Sequence, residues 1–502
     1  MKRTLFLTSL LAGAFLQGLS ASTPPRHPNF IFILSEAQGW SSTSVQMDER
    51  VPGSKSDFVR TPNLEHLATE GMRFSDFYAS SPRCTPSRAT FFTGKSPAVL
   101  GMTFVGEGRG EKQGTFSPTG SKLTPPETVS ELPSGEKTIG DLLKQEGYAT
   151  AHFGKWHVGR VSPSRHGFDE NDGANANDGP DHVQNPNPKQ VFAITRLGID
   201  FMEREVRAGK PFYLQLSHYP GRGGTDARPE TYFRVRQRAS GERDQRRVAS
   251  AAGTEDMDDA IGVVLAKVRE LGIEENTYII FSSDHGAQGR NANEPLTQGK
   301  GTVWEGGLRI PFLIAGPGIK PGSVSHVRAT GADLLPTLAG LAGITDLPSG
   351  IEGGNLTPIL LGTEESVKRP REEFVVHFPH YDKDDLGPAS AIILGNEKLI
   401  RVYETGRSKL FDLSKDPGER RDLAGQRPER VAELEKILDE YLREVKARLP
   451  VPNPGYVPGK APASSDEHRG EGKRRGGGRG KGARGGDAGR SEVPTPEPSP
   501  SP

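Results

Sequence analysis

The chain has 502 residues, 33% of them hydrophobic, and its 64 Lys+Arg are balanced by 64 Asp+Glu. Zero net charge excludes disorder of the whole chain, which needs low hydrophobicity and high net charge together. It also argues against a chain-wide nucleic-acid footprint. No internal apolar run of about 18 residues is present to cross a membrane. The single cysteine, Cys84, rules out intrachain disulfides; it reads as an inert buried thiol or as a residue with a special task.

In chain order, Lys2 and Arg3 precede an apolar run from Leu5 to Leu19 and the small residues Ser20, Ala21 and Ser22. This is the pattern of an export signal, residues 1–22, cut near Ala21, so the mature protein is expected to be periplasmic or secreted. Asn29-Phe-Ile-Phe-Ile-Leu34 reads as a strand buried on both faces, ending at Ser35-Glu36. Thr61 is expected to cap a helix with Pro62 in its first turn, Leu64, Leu67 and Ala68 inward, and Gly71 as its stop. A strand over Met72–Tyr78 follows. The same grammar repeats with a helix over Thr138–Glu146, a strand over Tyr148–Phe153, and a strand over Pro211–Ser217. Thr254 is expected to open a helix with Met257, Ile261, Val264, Leu265, Val268 and Leu271 on one face, followed by a strand over Thr277–Phe281.

Helices alternating with short buried strands predict an α/β fold with a large, mostly parallel sheet, whose ligands bind beyond the carboxyl ends of the strands. Glu36 and the pair Asp284-His285 both follow such strands. After residue 365 the texture changes to strands at Phe374–Phe378, Ala391–Leu394, Lys398–Val402 and Lys409–Asp412, a turn at Asp416-Pro417-Gly418, and a helix over Pro428–Lys446. Residues 28–365 are therefore expected to form the catalytic domain and 366–452 a small antiparallel sheet with one helix. Residues 453–502 read as a disordered tail. Its Arg469–Arg490 stretch is Gly/Arg-rich, with 8 basic and 2 acidic residues.

The segment Cys84-Thr-Pro86-Ser-Arg88 carries the most specific chemistry. Pro86 near a helix start places Cys84 at the positive end of the helix dipole, with Arg88 a turn further on to reach back. Both effects stabilise an anionic nucleophile. This run resembles the sulfatase signature Cys-x-Pro-x-Arg, in which the cysteine is converted to formylglycine by a maturation enzyme. The resemblance extends to Phe153-Gly-Lys155-Trp-His157-Val-Gly159, to Ser283-Asp284-His285-Gly286, to Gly299-Lys300-Gly301-Thr-Val-Trp-Glu-Gly-Gly307 and to the C-terminal Leu410–Glu419.

The resemblance implies a mechanism. A hydrated aldehyde at position 84 offers one hydroxyl to attack sulfur and expel the alcohol, and a second to release sulfate and regenerate the aldehyde. It further implies that Arg88 holds the hydrate, Lys155 contacts hydrate or sulfate, His157 acts as a base and Lys300 binds sulfate near the leaving group. A calcium ion, or another divalent metal, would be held by Glu36, Asp284, His285 and residue 84.

Two positions depart from the family pattern. Glu36-Ala37 stands where the family has an Asp-Asp pair. The family histidine after the strand Pro211–Ser217 falls on Arg222, with His218 four residues earlier as a substitute. Arginine binds sulfate but cannot serve as an acid near neutral pH. His377, His380 and Tyr381 read either as pocket lining from the small domain or as a packed strand. The loop from Ser162 to Pro188 reads as an ordinary loop or one that shapes access. The expected activity is hydrolysis of sulfate esters on a small molecule or polysaccharide. The alternatives are a phosphoester or phosphonate hydrolase of the same superfamily and a catalytically silent binder of sulfated glycans.

Overall fold

The computed structural model describes residues 27–105, 120–177, 190–219, 227–239, 241, 245–289 and 292–457. The signal segment, Arg222, residues 178–188 of the access loop and nearly all of the tail lie outside them.

The large sheet comprises β1 (Asn29–Ser35), β2 (Met72–Phe74), β3 (Ala149–Gly154), β4 (Glu170–Asn171), β5 (Phe212–Ser217), β6 (Thr277–Ser283), β7 (Phe312–Ala315) and β8 (Ser323–Ser325), in the order β8-β2-β7-β6-β1-β5-β3-β4. Only β7 runs antiparallel to its neighbours. Every residue of β1 is buried. Phe30, Phe32 and Leu34 pack to one side with Ile139, Leu142 and Leu338, while Ile31 and Ile33 pack to the other with Leu64, Phe201 and Ile261. The period-2 alternation of side chains thus explains the unbroken apolar run: both faces are covered by helices.

Register fixes the site. Leu34 pairs with Ser217, Ser35 with Ser283, and Gly154 with Ser217. Glu36, Lys155, His218 and Asp284, each the next residue beyond its strand, therefore emerge along one edge. The second sheet is an antiparallel meander of β9 (Phe374–Phe378), β10 (Ala389–Leu394), β11 (Glu397–Val402) and β12 (Arg407–Asp412). The helix Pro428–Glu444 covers one face through Leu434, Leu438 and Tyr441. The other face packs on Tyr78, Val303 and Leu308 of the large unit.

Three local expectations change. Thr61 stands before the helix Pro62–Glu70 but makes no side-chain cap bond; its hydroxyl instead accepts from the Ser44 amide at 2.9 Å. The expected strand Met72–Tyr78 breaks in two. Ser75 bonds away to Ser325 and His326, and Asp76 to Arg309, so Phe77–Tyr78 pairs separately with Ala329–Thr330. Thr254 does not open its helix, which runs Gln245–Glu270; the threonine hydroxyl donates back to the Ser250 carbonyl within it. A threonine inside a helix can satisfy its hydroxyl on the preceding turn, so its preference for caps is not decisive.

The two sheets are joined by a buried ion cluster. Lys398 of β11 lies 2.9 Å from Glu305 and 2.8 Å from Glu419, all with side chains fully out of water. Tyr78 donates to the other oxygen of Glu305. Lys398→Met would leave two carboxylates without their cation, and is expected to lower unfolding free energy by about 3–5 kcal/mol in denaturant titration.

A second buried carboxylate confers a pH dependence. Asp258 accepts from the Asn63 and Leu64 amides and fixes the start of the helix Pro62–Glu70. Burial outweighs those bonds and pushes its carboxyl up from 3.8 to about 6. The unfolded chain loses this proton first, so the group's stabilisation is lost as pH rises through that window. Asp258→Asn is expected to flatten the dependence of the melting midpoint on pH between about 4 and 6.

Candidate active site

Cys84 is the first residue of the helix Cys84–Thr93, where its thiol meets the helix's unsatisfied amides. Its sulfur lies 3.3 Å from Glu36 Oε1, 3.2 Å from His285 Nε2 and 3.5 Å from Lys300 Nζ. Lys155 and Lys300 both donate to Glu36, Lys300 at 3.1 Å, and Lys155 also donates to Asn177 Oδ1 at 2.7 Å. Arg88 donates from Nε to Asp284 at 3.0 Å, from Nη1 to the Lys155 carbonyl at 2.6 Å and from Nη2 to Glu36 at 3.5 Å. Arg88 thus reaches back to the carboxylates beside Cys84, Glu36 being shared by both. Its fork is drawn to the two carboxylates and the carbonyl at the strand ends, which match its fixed donor geometry.

The electrostatics follow from this crowding. Burial and the Glu36 charge push the Cys84 thiol up, but Lys155, Lys300 and His285 outweigh them and hold it well below its ordinary value. Burial also pushes Glu36 up, and Lys155, Lys300, Arg88 and His285 together hold it well down. The centre thus favours an anion at residue 84 and beside it. His157, with the left-handed φ of 56°, is buried against Lys155 and Cys84. Burial first, then the Lys155 charge, lower its basicity from the ordinary imidazole value.

Four residues present donor atoms within 4.8 Å of one another: Glu36, Cys84, Asp284 and His285. Two carboxylates suit a hard divalent cation, whereas a cysteine sulfur does not. Replacing the sulfur by an oxygen would complete an oxygen-rich set, so these residues fit the metal the family implies. At Ala37 the main-chain amide, rather than a carboxylate, approaches the site, donating to Asp284 Oδ1 at 3.0 Å.

The structure thus gathers Glu36, Cys84, Arg88, Lys155, His157, Asp284, His285 and Lys300. His218 emerges at the same edge, one residue beyond β5. That ring is buried and shifted down to about 4 by burial, with no charge of the centre contributing. His377 is a packed strand residue, bonded to Ser390 Oγ and the Arg448 carbonyl. His380 bonds Thr103 Oγ1 and lies against the Phe104 ring, and Tyr381 donates to Glu404. Sequence reading missed Asn177, which steadies Lys155. Nothing in an Asn/Asp/Gly-rich loop singles out one asparagine.

An α/β sheet edge presenting a helix N-terminus, three cationic side chains, two histidines and a carboxylate pair defines an anion-processing hydrolase centre. The comparisons with known proteins agree. The sulfatase family model matches residues 28–344, and a model of the N-sulphoglucosamine sulphohydrolase C-terminal region matches residues 298–448. The chain is 32% identical over 388 residues to human N-acetylgalactosamine-6-sulfatase, covering 68% of each chain. It is 29% identical over 473 residues to the ulvan-active sulfatase of Formosa agariphila, covering 84% of this chain and 83% of that one. Among solved structures it resembles Ps i-CgsB in complex with k-i-k-neocarrahexaose, with a TM-score of 0.68 at 22% identity over 89% of this chain and 98% of that one. It also resembles the PsFucS1 sulfatase of Pseudoalteromonas sp., with a TM-score of 0.63 at 23% identity over 87% and 92%. The chain belongs to the sulfatase family and is a sulfuric ester hydrolase. No helix among the described residues is long and apolar enough to cross a membrane.

Proposed function

We propose that the protein is an exported enzyme that removes sulfate from sulfated carbohydrate, using formylglycine made from Cys84 by a maturation enzyme, with calcium or another divalent cation. The observation that carries this reading is the convergence of Lys155, Lys300, Arg88 and His285 around residue 84, with Glu36 and Asp284 beside it. The formylglycine hydrate would supply the nucleophilic hydroxyl. The cation, held by Glu36, Asp284, His285 and residue 84, would polarise the sulfate oxygens.

The chain's own residues do the rest. Lys300 and Lys155 bind sulfate oxygens and stabilise the charge that develops on them. Arg88 fixes both carboxylates and the hydrate beside them. His157, buried beside Lys155 and Cys84, takes the proton when sulfate is released. Lys300, at 3.5 Å from the nucleophile's position, also faces the departing alcohol. Arg222 and His218 remain proposals for binding sulfate or serving the leaving group. The division into a catalytic unit, 28–365, and a small unit, 366–452, belongs to the same reading. The carbohydrate preference draws on the relatives named for N-acetylgalactosamine-6-sulfate and ulvan.

The test is turnover of matched sulfate and phosphate esters, sulfated sugars included, by protein made with the maturation enzyme. Sulfate release from sugar esters is expected to dominate. Faster phosphate release would move the protein to the phosphohydrolase branch, and glycan binding without release of either would make it a silent binder.

A further inference from the structure

Side-chain exposure rises in one direction across the centre. It is zero at Glu36, Arg88 and Asp284, 8% at Lys300 and 12% at Arg83. The site therefore opens on the side of Lys300 and Arg83. Arg83 immediately precedes Cys84 in extended conformation, and its Nε and Nη2 donate to both oxygens of Asp382. Its guanidinium lies 5.7 Å from the centre of the half-buried Phe104 ring.

Asp382 comes from the small domain, four residues beyond β9, and also abuts the residue after Lys300. Gly301 has φ 86°, and a Cβ there would stand 2.5 Å from Asp382 Oδ2. One carboxylate thus touches the chain neighbours of both the nucleophile and the sulfate-binding lysine. None of the roles assigned above uses this pair.

Its chemistry is specific. A carboxylate offers about four acceptor positions, and Arg83 occupies two of Asp382's. Paired, the two groups carry no net charge. A neutral hydroxyl can donate to Asp382, a second sulfate there meets the carboxylate's repulsion, and the Phe104 face suits the apolar side of a sugar ring. We propose that Arg83 and Asp382, with Phe104, form the recognition site for the sugar hydroxyl nearest the sulfated position, selecting substrates free of a second sulfate there. This inference rests on the carbohydrate reading and deepens it.

The experiment compares kcat/KM for the monosulfated hexose or hexosamine that the enzyme cleaves best with kcat/KM for the same sugar carrying a second sulfate on the nearest hydroxyl. An aryl sulfate serves as reference. Asp382→Asn is expected to lower the mono- to disulfate ratio at least tenfold. Arg83→Gln, which bares the carboxylate, is expected to raise it. A merely structural role would move both variants the same way, or neither. If one variant fails to fold by thermal melting, the other still reads the ratio in its own direction. Ratios equal to that of the wild type, or shifted together, overturn the inference while leaving the carbohydrate reading intact. A wild-type enzyme that cleaves the aryl sulfate but no sugar sulfate overturns both.

Discussion

Cys84→Ala is expected to abolish sulfate release, with kcat falling by at least about 10⁴-fold, as for removal of a nucleophile acting within a catalytic unit. The reason is geometric. Lys155, Lys300 and His285 converge on that one side chain at the start of a helix, and the chain holds no other thiol. In wild-type protein made with the maturation enzyme, the peptide spanning residue 84 is expected to have exchanged a sulfur and two hydrogens for one oxygen, read by mass spectrometry. In protein made without that enzyme the thiol should persist and turnover should be lost. An unmodified thiol in fully active enzyme would refute the formylglycine mechanism. The unconverted thiol is itself held well below its ordinary pKa by Lys155, Lys300 and His285, against burial and Glu36. Alkylation of unconverted protein should therefore be selective for Cys84 wherever reagent can reach it.

The second large effect concerns the carboxylate edge. Chelation is expected to remove activity and calcium to restore it. Glu36→Gln or Asp284→Asn should weaken metal binding by about 100-fold or more, because each removes an anionic ligand from a set of only two carboxylates. Titration calorimetry on metal-free protein measures this directly and separates it from activity. Glu36→Gln carries a further cost, since Glu36 also anchors Lys155 and Lys300.

Ala37→Asp provides the converse test. Ala37 has φ 54°, a left-handed conformation that aspartate adopts more readily than alanine. The substitution restores a carboxylate next to Glu36 and is expected to tighten metal binding about tenfold, the lower end of what one supporting group contributes. Metal content and activity that both survive Glu36→Gln would show that Glu36 is not a ligand.

Much of this molecule was legible in one dimension. The apolar run of β1, the helix stop at Gly71, and the ladder of short strands after residue 365 follow from local patterns of burial and turn chemistry, which depend on few distant contacts. Cys84 at a helix start and Asp284-His285 after a strand were legible from local pattern, whereas Lys155, His157 and Lys300 were identifiable through the motifs that resemble the sulfatase family.

What the tertiary structure decided depends on partners distant in sequence. Thr254 lies within a helix rather than at its cap, because the helix gains burial from Val248, Ala251 and Ala252 upstream. Arg88 binds Asp284 and Glu36 beside Cys84 because parallel register sets those carboxylates within its reach. His218 follows its strand as expected, and only the tertiary packing buries its ring and lowers its basicity to about 4. The pairing of Arg83 with Asp382, and of Lys398 with Glu305 and Glu419, arises only when the second sheet docks on the first. A charged residue's neighbours are set by packing between distant segments, and composition and periodicity encode only the faces that pack.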